Sequence, residues 1–98
     1  MEEVLINTDN VSVRIVELEA GGALPWHHHS EVTDHIVALD GEIEVQLRSP
    51  DEKVVLAPGK RCTVSTGRVH RVVNLCKRKN NYLLIQGVGK YDFNKADT

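Results

Sequence analysis

The chain has 98 residues, 41% of them apolar and 27% charged, which is the size and composition of one globular domain; aromatic residues make up only 4%, so its core must be aliphatic. A formal charge of -2 excludes a general attraction to nucleic acid or to an anionic membrane. No run approaches the roughly eighteen uninterrupted apolar residues of a membrane-spanning helix.

Apolar residues recur with a period close to two almost throughout, which predicts strands. Val11–Leu18 opens as a clean alternation and Gly21-Gly22 breaks it. Leu24 to His29 is extended, because Pro25 biases its predecessor away from helix. Asp34–Leu39 is the next β-rich run, and Asp40-Gly41 after it is a hairpin signal. Glu42–Arg48 alternates strictly, with Ile43, Val45 and Leu47 pointing inward, before Ser49-Pro50-Asp51-Glu52 turns the chain. Lys53–Ala57, Cys62–Val64 and His70–Asn74 follow as short strands, separated by Pro58-Gly59 and Ser65-Thr66-Gly67. Lys77–Asn81 reads as a solvated basic tip and Tyr82–Val88 as the last strand. From Gly89 the chain is polar, and Asn94–Thr98 is expected to fray. Seven or eight short strands without a helical pattern indicate an all-β sandwich or barrel, one domain over residues 1–98 with its core at about 10–89 and a polar tail at 90–98.

Two cysteines, Cys62 and Cys76, are too few for a disulfide scaffold. They read as reduced thiols and, with no basic and apolar leader after Met1, the expected compartment is the cytoplasm.

The chemistry concentrates in His27-His28-His29, with Asp34 five residues on and His70 far downstream. Imidazole is the commonest side-chain metal ligand. In a strand His27 and His29 share a face, with Cα atoms roughly 6.6 Å apart, and His28 takes the other. That spacing lets two rings converge on one ion at about 2.1 Å. Asp34 stands at an odd offset from His29, so a turn or bulge over Ser30–Thr33 is needed to bring it beside the pair.

The spacing is also that of a known pattern. Gly21, five residues, His27, one residue, His29, four residues, Asp34, six residues, Gly41 resembles the first signature of the cupin superfamily. Gly59, five residues, Ser65-Thr66-Gly67, two residues, His70, three residues, Asn74 resembles the second. The family's usual residues at positions 34 and 65 are Glu and Pro, where this chain has Asp34 and Ser65. The resemblance implies an all-β, single-domain cupin-type jelly-roll β-barrel with His27, His29, Asp34 and His70 as metal ligands facing its interior. Imidazoles with one carboxylate suit one divalent transition metal, Fe, Mn, Ni, Co or Zn. Asp is a methylene shorter than Glu, so three roles stand open for Asp34: ligand, acceptor orienting a histidine, or catalytic base on bound water. His35 becomes the substitute ligand if the register slips by one.

Around the site, Trp26 is read as a core or barrel-mouth residue or as a substrate-stacking one. Arg68, two residues before His70, is placed to hold a substrate carboxylate. Asn74 is expected to hydrogen-bond within the barrel. The expected function is that of a metal-dependent enzyme on a small organic acid, sugar acid or dicarbonyl compound, by dioxygenase or by isomerase or lyase chemistry. The alternative is a non-catalytic small-molecule sensor. The partners expected are a small-molecule ligand and a second copy of the chain: a domain this short leaves much surface exposed, and small cupins pair by sheet packing or edge-strand exchange.

Overall fold

The computed structural model describes residues 2–96. Ten strands follow in order: β1 (Glu2–Asn7), β2 (Val11–Leu18), β3 (His27–His28), β4 (Thr33–Ala38), β5 (Ile43–Leu47), β6 (Glu52–Leu56), β7 (Arg61–Val64), β8 (His70–Asn74), β9 (Asn80–Gly87) and β10 (Asn94–Lys95). They form two five-stranded sheets, β1-β2-β9-β4-β7 and β10-β3-β8-β5-β6, with antiparallel pairing throughout. This is the expected all-β jelly roll, a barrel made of two facing sheets rather than one closed ladder.

Alternation builds the core. β4, β5, β8 and β9 bury every second residue. Val16, Ile36, Ala38 and Tyr82 of the first sheet meet Ile43, Val45, Leu47 and Val72 of the second in one aliphatic cluster. Each such aliphatic side chain contributes roughly 1.5–3 kcal/mol by leaving water. The cluster is flanked by buried polar side chains at both ends, Asn74 and Asn80 at one. At the other, Ser12, Gln86 and Asp34 form a row across β2, β9 and β4, and His27 lies beside His70 across β3 and β8. All five are buried. The ends of both sheets therefore deliver polar side chains into one dry space.

Four readings need correction. Asp40-Gly41 makes no hairpin, because β4 and β5 belong to different sheets and the chain crosses between them. Gly41 is required for space instead: a Cβ there would lie 2.5 Å from Cys76 Sγ. The tip after β8 is shorter than read, since β9 begins at Asn80, a buried amide bonded to the Glu42 carbonyl. β1 extends the first sheet ahead of the expected core; all its residues are exposed, so no apolar alternation announced it. Asn94 and Lys95 do not fray but pair with His28 and His27. Of the same stretch, Asp97 and Thr98 lie outside the described residues. Both cysteines are unpaired thiols. Buried Asn74 donates to the Leu18, Glu19 and Arg78 carbonyls, within the barrel as expected.

Candidate metal centre

His27, His29, Asp34 and His70 each offer one ligand atom, and the four atoms lie within 4.8 Å of one another. All four residues are buried. The cross-strand pairing of β3 with β8 sets His27 against His70. The segment after His29 turns back into β4, as the odd offset required, and the Gly67 amide donates to the His29 carbonyl at 2.8 Å, joining the two histidine-bearing segments. Gly67 has φ +80, a backbone favouring glycine, in the turn leading to His70.

Each imidazole is oriented by a backbone carbonyl. Nδ1 of His27 donates to Pro25 O at 2.8 Å, that of His29 to Asp92 O at 2.6 Å and that of His70 to Arg68 O at 2.7 Å. A carbonyl only accepts, so the proton sits on Nδ1 and the neutral ring turns the Nε2 lone pair inward. Nε2 of His29 and of His70 then stand 3.1 and 3.0 Å from Asp34 Oδ2, which is also an acceptor. Lone pairs this close need a cation between them, either a shared proton or a metal. Two ligands at right angles about an ion 2.1 Å away stand about 3.0 Å apart. The residues fit a borderline divalent first-row metal, and carbonyl-anchored histidines are the usual support of such a site.

Without an ion, the electrostatics correspond to the shared proton. Burial lowers the His27 pKa to about 4, with His70 and His29 adding to the effect, so this ring stays neutral and ligating through mild acid. Burial works against a charge on His29, but the hydrogen bond and charge of Asp34 outweigh it and raise its pKa. Burial likewise opposes ionisation of Asp34, yet bonds from His29, His70 and Gln86 hold it far below the usual carboxylate range.

A cavity of about 60 Å³ opens beside His27 and His29, and Arg14, Gln86, Tyr91 and Phe93 are among its lining residues. Gln86 donates to Asp34 Oδ1 at 3.0 Å and accepts from Arg14 Nη2 at 2.9 Å. Arg14 also pairs with Glu2 at 2.8 Å, and its Nε is buried without a partner. Phe93 stacks on the His27 ring at 4.3 Å, and Tyr91 lies 4.6 Å from the Arg14 guanidinium. None of these was singled out from sequence. Gln86 was findable in principle, as the residue facing Asp34 across β4 and β9. Tyr91 and Phe93 gave no signal, because they sit in a segment that reads as a polar tail.

Trp26 and Arg68 lie elsewhere. Trp26 is half-buried between the guanidiniums of Arg48 and Arg71, 3.9 and 4.7 Å from its ring, and lines a separate groove of about 390 Å³ with Gln46, Asp51 and Lys53. Arg68 bonds the carbonyls of Arg48 and Pro50 and pairs with Glu52, so its guanidinium serves the β5–β6 turn. His28 lies outside the cluster, and His35 faces away from it, bonded to Thr63 at 3.2 Å, so the register has not slipped.

A family model described as the cupin domain matches residues 14–86. No curated protein gives a significant match. Among solved structures, a Klebsiella pneumoniae protein with a double-stranded beta-helix domain superposes with TM-score 0.86 at 19% identity, covering 100% of this chain and 80% of that one. KdgF from Halomonas sp. superposes with TM-score 0.78 at 19% identity, covering 91% and 80%. An oxalate oxidase gives 0.81 at 19% identity over 89% of this chain, which spans only 46% of that enzyme chain. At these identities the likeness concerns the fold.

Proposed function

This chain belongs to the cupin domain family, and from that premise we propose that it is a metal-dependent enzyme acting on a small organic acid. The observation that carries the reading is the convergence of imidazole lone pairs and one carboxylate at a cavity that also holds an arginine. His27, His29, Asp34 and His70 would hold the ion, which when bound supplies Lewis acidity toward a substrate oxygen. Arg14, whose guanidinium lines the cavity, is the candidate to hold a substrate carboxylate, the role first given to Arg68. Gln86 fixes the Asp34 carboxylate, and Phe93 and Tyr91 keep bulk water from the rings. Similarity to an oxalate oxidase supports chemistry on an acid at the level of the fold alone.

Elemental analysis of protein purified without an affinity column tests the premise. About one divalent ion per chain is expected, and less than a tenth of that in His70→Ala. Turnover is then assayed across a panel of small acids with the metal found. Arg14→Gln is expected to raise KM roughly tenfold or more, the worth of one charge-assisted bond, with Arg68→Gln unchanged. Oxygen uptake by the Fe(II) form separates dioxygenase chemistry from isomerase or lyase chemistry. A chain that binds acids without turning any over is a sensor module instead.

A further inference from the structure

The groove beside Trp26 lies on the outer face of the second sheet, opposite the histidines. His27, Leu47 and His70 are buried on the core side, so alternation turns Trp26, Arg48 and Arg71 outward. The register sets Arg71 against Gln46 and Gln46 against Lys53, and the pairing of His27 with His70 places Trp26 beside Arg71. One row across the sheet therefore reads Trp26, Arg71, Gln46, Lys53. The groove measures about 390 Å³, against about 60 Å³ for the cavity beside His27. Sites for one small organic molecule begin at roughly 300 Å³.

Its charge is unbalanced. Arg48 and Lys53 line the groove, and Arg71 lies against Trp26. Of the acids on this side, Glu52 pairs with Arg68 and Glu44 accepts from Gln46 Nε2 at 2.6 Å, which leaves Asp51 to answer the bases. Lys53 and Arg71 have no ion-pair partner among the described residues. Arg71 is nonetheless held in place: its guanidinium lies 4.7 Å from the Trp26 ring, and its Nε donates to Gln46 Oε1 at 2.7 Å. The Arg48 guanidinium lies 3.9 Å from the same ring. A guanidinium over an indole keeps its N–H groups in its own plane, where a planar carboxylate or a phosphate meets them in pairs. Restrained before a ligand arrives, it loses less freedom on binding.

We propose that this groove is a second ligand site, separate from the metal centre, and that it takes a small organic polyanion whose carboxylate or phosphate groups are held by Arg48, Arg71 and Lys53. Arg71 and Lys53 stand two strands apart, on β8 and β6 with β5 between them. Strand spacing puts about 10 Å between their Cα atoms. A ligand with two anionic groups engages both ends of the row, and a monoanion only one. Polyanions are therefore selected over single acids, unlike the metal centre, where one arginine serves one carboxylate.

Trp26 is the one tryptophan of the chain, so its emission reports on the groove directly. The full chain is titrated with fructose 1,6-bisphosphate and with propane-1,2,3-tricarboxylate, which separate phosphate from carboxylate, and with acetate at matched ionic strength. Calorimetry follows the same titrations independently of emission. Saturation by at least one polyanion is expected, with a Kd below about 1 mM at about 50 mM salt, and none by acetate. Arg71→Gln is expected to weaken that binding at least tenfold and Lys53→Gln at least threefold, both on an outer face where circular dichroism checks the fold. Arg14→Gln, at the other cavity, is expected to leave it unchanged. No saturation by either polyanion up to about 10 mM would overturn the proposal, as would a response that acetate reproduces. Binding that survives both groove substitutions, or that Arg14→Gln abolishes, would place the anion elsewhere and overturn it equally.

Discussion

Gln86 shows how one amide answers two ionic neighbours. Its NH2 serves Asp34 and its oxygen serves Arg14, so a carboxylate and a guanidinium are held in one buried chain without direct contact. Gln86→Leu keeps the volume but leaves Asp34 Oδ1 and Arg14 Nη2 short of a partner. Metal affinity, read by competition with a chelating dye, is expected to fall roughly 10- to 100-fold, the usual cost of losing such support. An unchanged affinity would mean that Asp34 is not part of the ligand set. The histidines give a pH signature of their own in metal-free protein. His27 has a folded pKa of about 4 against an ordinary 6.5, so between these values the unfolded chain binds a proton that the folded chain refuses. Stability therefore drops as pH falls through that window, by up to about 1.4 kcal/mol per pH unit. His29 is shifted upward, so its contribution is whole below 6.5 and is lost as pH rises through its folded value. Asp34 is depressed and loses its contribution only in stronger acid. Urea denaturation of the dialysed protein against pH is expected to show a maximum near 6.5, and a flat profile from 4 to 8 would contradict the shifts.

The segment from Gly89 to Ala96 is the element whose role is least visible in the sequence. Its residues are mostly polar, and β10 is a two-residue strand. Four separate contacts nonetheless tie it down: Asp92 O accepts from His29 Nδ1, Asp92 Oδ1 accepts from the Ser30 amide, the Lys90 amide donates to Glu31 and the Ala96 amide to the Trp26 carbonyl. Local composition predicted fraying because every one of these partners lies some sixty or more residues away and could not be read nearby. The strands of the core were legible for the opposite reason, since alternation in β4, β5 and β8 is a local pattern set by burial on one face. The strap closes the cavity through Phe93, whose ring lies flat on His27 at 18°. Phe93→Ala removes that cover without touching a ligand atom. Release of metal to excess chelator is expected to quicken roughly tenfold, while the fold, judged by circular dichroism, is retained; such a change is about 1.4 kcal/mol of barrier. An unchanged release rate would leave Phe93 with a packing role alone.

At the scale of the molecule, the cluster of His27, His29, Asp34 and His70 was legible because two separated patterns place these residues at fixed offsets, and the jelly roll brings those offsets to one end of the core. Trp26 and Arg68 stand apart from this cluster, because nearness in sequence says nothing about the side of the sheet: Trp26 packs with Arg48 and Arg71, and the Arg68 guanidinium serves a turn. The same architecture would make a metal a structural matter as well as a chemical one. One end of the core closes around a buried carboxylate and three imidazoles, so an ion held there would join β3, β4 and β8 across the two sheets. A ligand that binds only the folded state stabilises by about 2.7 kcal/mol at a hundredfold excess over its Kd. In a domain of 98 residues that corresponds to a rise in Tm of roughly 10–20 °C. Calorimetry of chelator-treated protein before and after addition of the native metal is expected to show that rise, and to show none in His70→Ala.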